Sequence, residues 1–472
     1  MQKLVLLESL LACAFAFADV ECSTDGKSAT VTGVTTRTVF VNDITLPSCL
    51  YMLRGVRNEV FVQPFMKRWR PYDDFVRFDT KGGQGAFLRR LSMVATVTNP
   101  VDGANLDVML VRGDTFETVK KLSPTLRVGE PAAGSEDVCA QIVGDSLTHG
   151  GFYKNALFRP EYVPNLHLVG LRRSPLAKGL PAQYHEGRGG WKLQTYFQVP
   201  KGECFSYHGF MQPRDGRYWG DTSFWKMAWR VRRGTQPKGF QPTYSCGEFG
   251  EAAERFDEQT GFLKNPQTGD CQFDAEKKQM VRWDGRIWNA VDERTLDFRF
   301  DYGKYLAMWM IPAPRFLFVY LGCNDFCGAG FKVDYVPWAE RLETFKRSYE
   351  AAVPGGKFVL CIPISTLGSD DNRAGDFNTM RNAVMWQFRD WLIRRYDKRE
   401  AEGWYLLDGG LAIDNEHGFY LEKETAPNAL PYADCTSTER LKVQWGNPHA
   451  YPNYPAMGVP FAAFIQYWRD RK

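Results

Sequence analysis

Hydrophobic and polar positions follow one pattern up to about residue 128 and another after residue 135. In the first part, short runs that alternate apolar and polar residues, or are rich in β-branched residues, are separated by turn residues. These runs are 29–34, 37–41, 59–62, 91–98 and 106–111. Such runs are typical of half-buried strands, and no helical periodicity interrupts them. The pattern predicts an all-β sandwich over residues 19–130.

A Pro- and Gly-rich linker, residues 129–135, separates the two patterns. The apolar runs 138–143, 166–171, 316–321, 357–362 and 404–407 predict strands, and amphipathic spacing over 338–352 and 378–399 predicts helices. This alternation indicates an α/β domain over residues 135–472, with a parallel sheet flanked by helices. Residues from about 202 to 289 break the alternation with Gly, Pro, Cys and charged residues, and we interpret them as a long insertion.

The first 18 residues have the pattern of a secretory signal peptide. Lys3 precedes a mostly apolar run, and Ala16 and Ala18 give the small-x-small cleavage pattern before Asp19. We therefore expect a secreted or periplasmic protein. Lipoprotein anchoring through Cys13 is the alternative. No later run approaches the roughly 20 apolar residues of a membrane span.

Composition narrows the classes of partner and cofactor. Among the 472 residues, acids and bases are interspersed with a net charge of +4, so no nucleic-acid footprint is visible. Signal cleavage would remove Cys13 from the 11 cysteines. The remaining even number permits disulfides in an exported protein. No His–Cys cluster has the spacing of a zinc site, so we expect neither a metal nor a cofactor.

Four polar stretches lie beside predicted strands or helices. They are Gly144-Asp145-Ser146, residues 186–191, residues 322–325 and residues 447–453. The first three follow predicted strands, and the last precedes a final apolar helix. Open α/β sheets place their ligands at the carboxyl ends of the strands. A serine presented there becomes a nucleophile when an imidazole takes its proton.

Together these stretches resemble the four sequence blocks of the SGNH (GDSL-type) hydrolase family, and the resemblance covers residues 135–472. It implies a flavodoxin-like, three-layer α/β/α domain and a serine esterase that forms an acyl-serine intermediate. It further implies Ser146 as the nucleophile and His449 as the base. The oxyanion hole would comprise the Ser146 and Gly190 N–H groups and the Asn324 side chain, with Gly189 as the alternative to Gly190.

One position departs from the family pattern. The family usually has Asp three residues before the histidine, where this chain has Gly446. A triad acid holds the histidine ring in its working orientation, so another group must do so here. Either a backbone carbonyl near Gly446 orients the ring, which we prefer, or an acid reaches it. The candidate acids are Asp414, as the named third member, Asp408 and Asp434.

Further residues near these stretches are candidates for binding or packing. We predict substrate contacts from Asp145, Arg188, Trp191 and Asp325. The basic residues near the second stretch are interpreted first as solvated surface charge, with contact to an acidic sugar as the alternative: Arg172, Arg173, Arg188 and Lys192. We expect His149 to line the pocket, His167 to be buried in a strand and His185 to lie near substrate. His208 and His417 are assigned to loops.

The expected function combines these features. Secretion, a preceding β domain, 14% aromatic residues and a long insertion fit the extracellular breakdown of a glycan. We predict a carbohydrate acetylesterase whose partner is a glycan or other ester substrate. The alternatives are a lipase or lysophospholipase, and a non-catalytic glycan-binding protein with a degenerate site, which Gly446 keeps open.

Overall fold

The computed structural model describes residues 19–22, 29–32, 42–68, 74–80, 86–89, 94–131, 136–150, 152–157, 159, 162–173, 183–202, 207–237, 249–364, 380–414, 421–425, 439–443 and 454–471. The predicted signal peptide, residues 1–18, lies outside these ranges. The chain divides into two compact units, Met1–Asp43 and Ile44–Lys472. In the first unit, β1 (Asp19–Cys22) pairs antiparallel with β2 (Ala29–Thr32).

The second unit begins with small sheets. Strand β3 (Cys49–Leu53) pairs in parallel with β10 (Thr125–Gly129). The antiparallel strands are β4 (Asn58–Phe61), β5 (Asp74–Thr80), β6 (Ala86–Arg89), β7 (Val94–Val97), β8 (Leu106–Arg112) and β9 (Thr118–Leu122). They form the sheets β4-β7-β6 and β5-β8-β9. Strands β2, β4, β7 and β8 thus overlap the predicted runs 29–34, 59–62, 91–98 and 106–111, whereas the predicted run 37–41 lies outside the described residues. Their arrangement as a sandwich and the boundary near residue 130 stay predictions.

The rest of the second unit alternates strands and helices. The strands are β11 (Val138–Gly144), β12 (Leu166–Val169), β13 (Arg172–Arg173), β14 (Tyr184–Gly187), β15 (Met211–Pro213), β16 (Tyr218–Asp221), β17 (Cys271–Asp274), β18 (Gln279–Trp283), β19 (Trp288–Ala290), β20 (Phe298–Phe300), β21 (Phe316–Tyr320), β22 (Lys357–Cys361), β23 (Trp404–Leu407), β24 (Leu421–Thr425) and β25 (Glu439–Val443). The helices are α1 (Ser146–Gly150), α2 (Phe152–Leu157), α3 (Thr222–Arg233), α4 (Gly250–Ala253), α5 (Tyr302–Trp309), α6 (Cys323–Phe326), α7 (Val336–Ala352), α8 (Met380–Tyr396) and α9 (Tyr454–Arg469). None of these helices is long and apolar enough to cross a bilayer.

A seven-stranded sheet organises this part of the chain. Its order is β13-β14-β11-β21-β22-β23, and β12 also pairs with β11. All pairs are parallel except the antiparallel pair β13–β14. The prediction of an α/β fold with a parallel sheet is therefore confirmed. Strand β14 was not predicted, because its sequence, Tyr-His-Glu-Gly, lacks an apolar run.

Both faces of the sheet are buried, which explains why its central strands are continuous apolar runs. Along β21, Leu317 packs into one hydrophobic cluster with Phe345 of α7 and Phe388 of α8. The next residue, Phe318, packs into another cluster with Phe464 of α9. Successive side chains of a strand point to opposite faces, so the two clusters cover the two sides of the sheet.

The predicted insertion has a regular structure over its described residues. Strand β16 pairs in parallel with β17, and β17, β18 and β19 continue as an antiparallel sheet. Helix α3 begins at the N-cap Asp221, whose carboxylate accepts from the Ser223 N–H at 2.7 Å. Aromatic rings fill the core here, and Trp225 stacks on Phe256 with ring centroids 3.8 Å apart. That these residues are an insertion into the α/β domain stays a prediction.

A buried ion pair links α8 to the end of β23. Arg389 is 2% exposed and Asp408 is 7% exposed. The Arg389 Nη1 donates to the Asp408 Oδ1 at 3.2 Å, and its Nε donates to the Thr45 carbonyl at 3.3 Å. The pair therefore connects the sheet, a flanking helix and the segment before β3.

We expect Arg389→Met to lower the free energy of unfolding by about 3–5 kcal/mol, because it leaves the Asp408 carboxylate buried without its cation. Urea unfolding measures the change. Arg394→Met on the same helix is the matched control. Its side chain is 73% exposed in an ion pair with Asp390, and such pairs contribute about 0.3–0.5 kcal/mol. Equal losses of unfolding free energy in the two variants would contradict the view that the buried Arg389–Asp408 pair stabilises the fold.

Candidate active site

Ser146 lies directly after β11, at the carboxyl end of the parallel sheet. Gly144 ends the strand, Asp145 follows it and Ser146 begins α1. A Cβ atom at position 144 would clash with the Thr148 hydroxyl, so this tight turn requires glycine. Ser146 is half-buried, and no described residue forms a hydrogen bond with its hydroxyl.

Strand β14 brings the second polar stretch to the same edge. Gly187 lies opposite Gly144 in the parallel pair of strands. Just beyond the strand, the Arg188 N–H donates to the Gly144 carbonyl at 2.9 Å. Gly190 is exposed with φ +75°, and a Cβ there would meet no other atom. Backbone conformation, and not lack of space, therefore favours glycine at position 190.

Helix α6 carries the third stretch, directly after β21. The Asn324 Nδ2 donates to the Trp191 carbonyl at 3.1 Å. The Leu193 N–H donates to the Asp325 carboxylate, with distances of 3.2 and 3.3 Å to its two oxygens. The three stretches thus share one edge of the sheet and are joined by hydrogen bonds. The catalytic roles of Ser146, Gly190 and Asn324 stay predictions.

The fourth stretch, with His449 and Gly446, lies outside the described residues, as does Asp434. Of the remaining candidate acids, Asp414 is half-buried and lies two residues after the short 3₁₀ helix Gly409–Ala412, which follows β23. Asp408 is already paired with Arg389 in the core. Its carboxylate is therefore committed to an interaction within the fold.

His167 is exposed, so its predicted burial is wrong. It lies on β12, where burial alternates along the strand, and its Nε2 is 3.4 Å from the Asp137 Oδ1. β12 pairs with β11 over four residues. A partly covered strand keeps one of its faces in solvent, whereas the central strands are buried on both faces.

His149 is buried one helical turn after Ser146. Its Nδ1 lies 3.1 Å from the Arg172 Nη2. A guanidinium can only donate, so Nδ1 accepts and the neutral ring carries its proton on Nε2. A neutral His149 in this state has no free lone pair with which to remove the serine proton. The structure therefore favours the predicted role of His149 as a pocket wall over that of the base.

His185 and His208 are also buried, and each accepts a hydrogen bond at its Nδ1. The His185 Nδ1 accepts from the Gly187 N–H at 2.9 Å, and burial holds its pKa well below the usual value. The His208 Nδ1 accepts from the Phe210 N–H at 3.2 Å, and its Nε2 lies 2.9 Å from the Gln198 carbonyl. Burial lowers the pKa of His208 to about 3. Neither ring is placed to act as a general base.

Two carboxyl groups beside the candidate nucleophile have raised pKa values. Burial raises the pKa of Asp145 to about 7, although a hydrogen bond from the Leu147 N–H lowers it, and the nearby Asp325 raises it further. Burial likewise raises the pKa of Asp325 to about 6, against the hydrogen bond from the Leu193 N–H. Burial disfavours the charged form of a carboxyl group, so both groups hold protons more tightly than in water.

A buried ion pair beneath this edge was missed by sequence reasoning. Glu186 and Arg188 are both 0% exposed, and the Arg188 Nη1 lies 2.7 Å from the Glu186 Oε2. Surface charge is therefore the wrong interpretation for Arg188 and also for Arg172, which is 0% exposed. Arg173 and Lys192 are exposed, as expected. Glu186 lies in β14 and Arg188 directly follows the strand. Opposite charges two positions apart are the sequence signal that could have revealed the pair, because side chains at i and i+2 of an extended chain share a face.

Six cysteines of the described ranges are free thiols. They are Cys49, Cys139, Cys271, Cys323, Cys327 and Cys361. Cys361 is buried and Cys139 is half-buried. Cys204 and Cys246 lie outside the described ranges. Over those ranges, no group of His, Cys, Asp and Glu could hold a metal ion.

Comparison with known proteins gives little further information. No family model and no curated protein matches the chain. Among solved structures, a carbohydrate esterase family 2 enzyme with a carbohydrate-binding domain from Myceliophthora fergusii is 12% identical and has a TM-score of 0.26, over 89% of this chain and 94% of that chain. A Bacteroides fragilis protein assigned as an α-galactosidase/melibiase is 13% identical with a TM-score of 0.18, over 68% of this chain and 52% of its own.

We expect Asp145→Asn to gain stability relative to wild type as pH rises from about 4 to 7.5. The folded-state pKa of about 7 lies above the unfolded value, so the favourable contribution of the protonated group is lost as pH rises through that window. The asparagine keeps an oxygen that accepts from the Leu147 N–H. The relative gain should reach up to about 4 kcal/mol, measured by urea unfolding at several pH values.

Asp284→Asn provides a control of opposite sign. Hydrogen bonds from the Ile287 and Arg286 N–H groups lower the pKa of this exposed carboxylate. The stability that the wild-type carboxylate contributes is therefore present above its unfolded-state pKa and is lost at lower pH. The free energy of unfolding of the variant should thus fall furthest below that of the wild type at neutral pH. A pH-independent difference for Asp145→Asn would contradict the assigned burial.

Proposed function

We propose that the chain is a secreted SGNH-type serine esterase that removes O-acetyl groups from a polysaccharide. The proposal includes a three-layer α/β/α catalytic domain after an N-terminal β-sandwich. It is supported above all by the hydrogen-bonded convergence of three separated stretches at one edge of a parallel sheet. A serine, a glycine turn with positive φ and an asparagine amide lie together there, and this combination suits acyl transfer.

In the proposed reaction, Ser146 attacks the ester carbonyl while His449 takes the hydroxyl proton. The Ser146 and Gly190 N–H groups and the Asn324 amide stabilise the oxyanion that forms. Its collapse releases the sugar hydroxyl, which receives the proton from His449, and leaves an acetyl group on Ser146. Water, activated by the same imidazole, then hydrolyses this ester and releases acetate.

The choice of His449 as the base is supported by its sequence context and by the unsuitable environments of the four histidines that the structure describes; His417, like His449, lies outside the described residues. The buried rings of His149, His185 and His208 each have Nδ1 engaged with a neighbouring donor, and His167 lies exposed beside Asp137. We further propose that a backbone carbonyl near Gly446 orients His449, which makes the pair a Ser–His dyad. Asp414 is the alternative orienting group.

The four residues predicted to contact substrate differ in how far they are buried. Trp191 is half-buried and follows Gly190, so its ring can contribute to a sugar-binding surface. The Asp325 carboxylate accepts from the Leu193 N–H, two residues after Trp191. Asp145 and Arg188 are 2% and 0% exposed, so we assign them to the support of the site and not to direct substrate contact.

We expect Ser146→Ala to lower the rate of acetate release by at least about 10⁴-fold, because the nucleophile is removed. The assay compares acetylated xylan or pectin, p-nitrophenyl acetate and a long-chain ester. Equal acetate release by both proteins would overturn the serine-esterase proposal. A preference for the long-chain ester would favour a lipase, and glycan binding without hydrolysis would favour a non-catalytic binding protein.

We expect Asn324→Ala to lower kcat by about 10²–10³-fold, the usual effect of losing one oxyanion-hole donor. Steady-state kinetics with p-nitrophenyl acetate measures this change. Asn58→Ala is the matched control, because the Asn58 amide is buried and donates to the Leu53 and Val97 carbonyls outside the site. The control should lose stability while it keeps its kcat, and an equal loss of kcat in both variants would argue against the role of Asn324.

A further inference from the structure

The Glu186–Arg188 pair is embedded in a buried polar network. The Glu186 Oε1 accepts from the Leu171 N–H at 2.6 Å and from the Tyr305 hydroxyl at 2.5 Å. The Tyr305 hydroxyl in turn accepts from the Gln141 amide at 2.9 Å. Gln141 lies within β11, the strand that leads to Ser146. The carboxylate of Glu186 is therefore fixed from several elements at once.

Arg188 extends this network to the turn after β14. Its Nε and Nη2 donate to the Tyr207 carbonyl at 3.2 and 2.5 Å. Its own backbone lies in the turn, since its N–H donates to the Gly144 carbonyl and its carbonyl accepts from the Trp191 N–H at 3.2 Å. The guanidinium also lies 5.1 Å from the centroid of the Trp191 ring. The side chain is thus anchored in the core while the main chain holds Gly189 and Gly190.

The geometry points to Glu186 and Arg188 as positioning residues that set the backbone of residues 188–191, and through it the Gly190 N–H, relative to Ser146. This inference rests on the proposed function, since it concerns the oxyanion hole of that reaction. The pair acts through the turn and does not touch substrate, because both side chains are completely buried. Burial of a charged pair at this position costs desolvation free energy, which a purely apolar packing would avoid.

The test separates positioning from stability by means of a double variant. Glu186→Gln and Arg188→Met each leave one buried charge without its partner, and each should unfold at a lower temperature. Glu186→Gln combined with Arg188→Met removes both charges at similar volume, so no uncompensated buried charge remains. The double variant should therefore regain much of the thermal stability that the single variants lose.

Catalysis should not recover with stability. The double variant still lacks the donors to the Tyr207 carbonyl, so the turn loses its anchor. We expect kcat for p-nitrophenyl acetate to fall about 10²-fold, the effect of a displacement of about 1 Å, while KM changes by less than about threefold because substrate contacts remain. Arg188→Lys, which keeps the charge but not the fork of donors, should fall between the wild type and the double variant.

Asp270→Asn is the matched control. Asp270 is 1% exposed and accepts from the Arg217 Nε and Nη2 at 2.7 and 2.8 Å, outside the three stretches of the site. It should lose stability with kcat unchanged. Recovery of kcat together with stability in the double variant would overturn the positioning role, as would an unchanged kcat in Glu186→Gln. An inactive wild type would overturn the proposed function and this inference with it, whereas an active wild type confines any failure to this inference.

Discussion

The parallel pairing of β11 with β14 and β21 is the constraint on which the candidate site depends. Because these strands run in the same direction, their carboxyl ends meet at one edge, with Gly187 opposite Gly144 on one side and Tyr320 opposite it on the other. The segments that follow can then bond to one another: Arg188 to Gly144 and Asn324 to Trp191. Residues as far apart in sequence as Gly144 and Tyr320 become neighbours without any local signal that joins them.

The same edge concentrates polar groups in a region that the sheet and its helices keep away from water. Low polarity raises the pKa of Asp145, for which hydrogen bonds compensate only in part. It also strengthens each satisfied contact, so the Glu186–Arg188 pair and the Tyr305 hydroxyl hold the strand ends more firmly than exposed groups would. The burial of polar groups at this edge therefore both fixes the strand ends and excludes water. Both effects favour the stabilisation of an oxyanion.

Sequence reasoning succeeded where the pattern was local. Strand β21 is apolar at every position because both of its faces are buried, so its bounds could be predicted within a residue. Strand β14 was missed because its burial rests on ion pairing and not on apolar side chains. Arg188 was interpreted as surface charge because its hydrogen-bond partners are distant in sequence. It donates to the Tyr207 carbonyl, and its ion-pair partner Glu186 accepts from Tyr305, 119 residues from Glu186. Propensity and periodicity carry no information about such distant partners.

Energetics as well as position narrow the choice of the group proposed to orient His449. For Asp408 to reach a histidine ring, its carboxylate would have to leave Arg389 in the core, and an uncompensated buried charge costs about 3–5 kcal/mol. That cost exceeds what a hydrogen bond from an imidazole returns, about 1.5–3 kcal/mol for a bond to a charged group. The buried ion pair with Arg389, which gives Asp408 its structural role, therefore excludes Asp408 as the group that orients His449. A backbone carbonyl near Gly446 needs no such rearrangement, since it remains an acceptor whichever residue occupies the position.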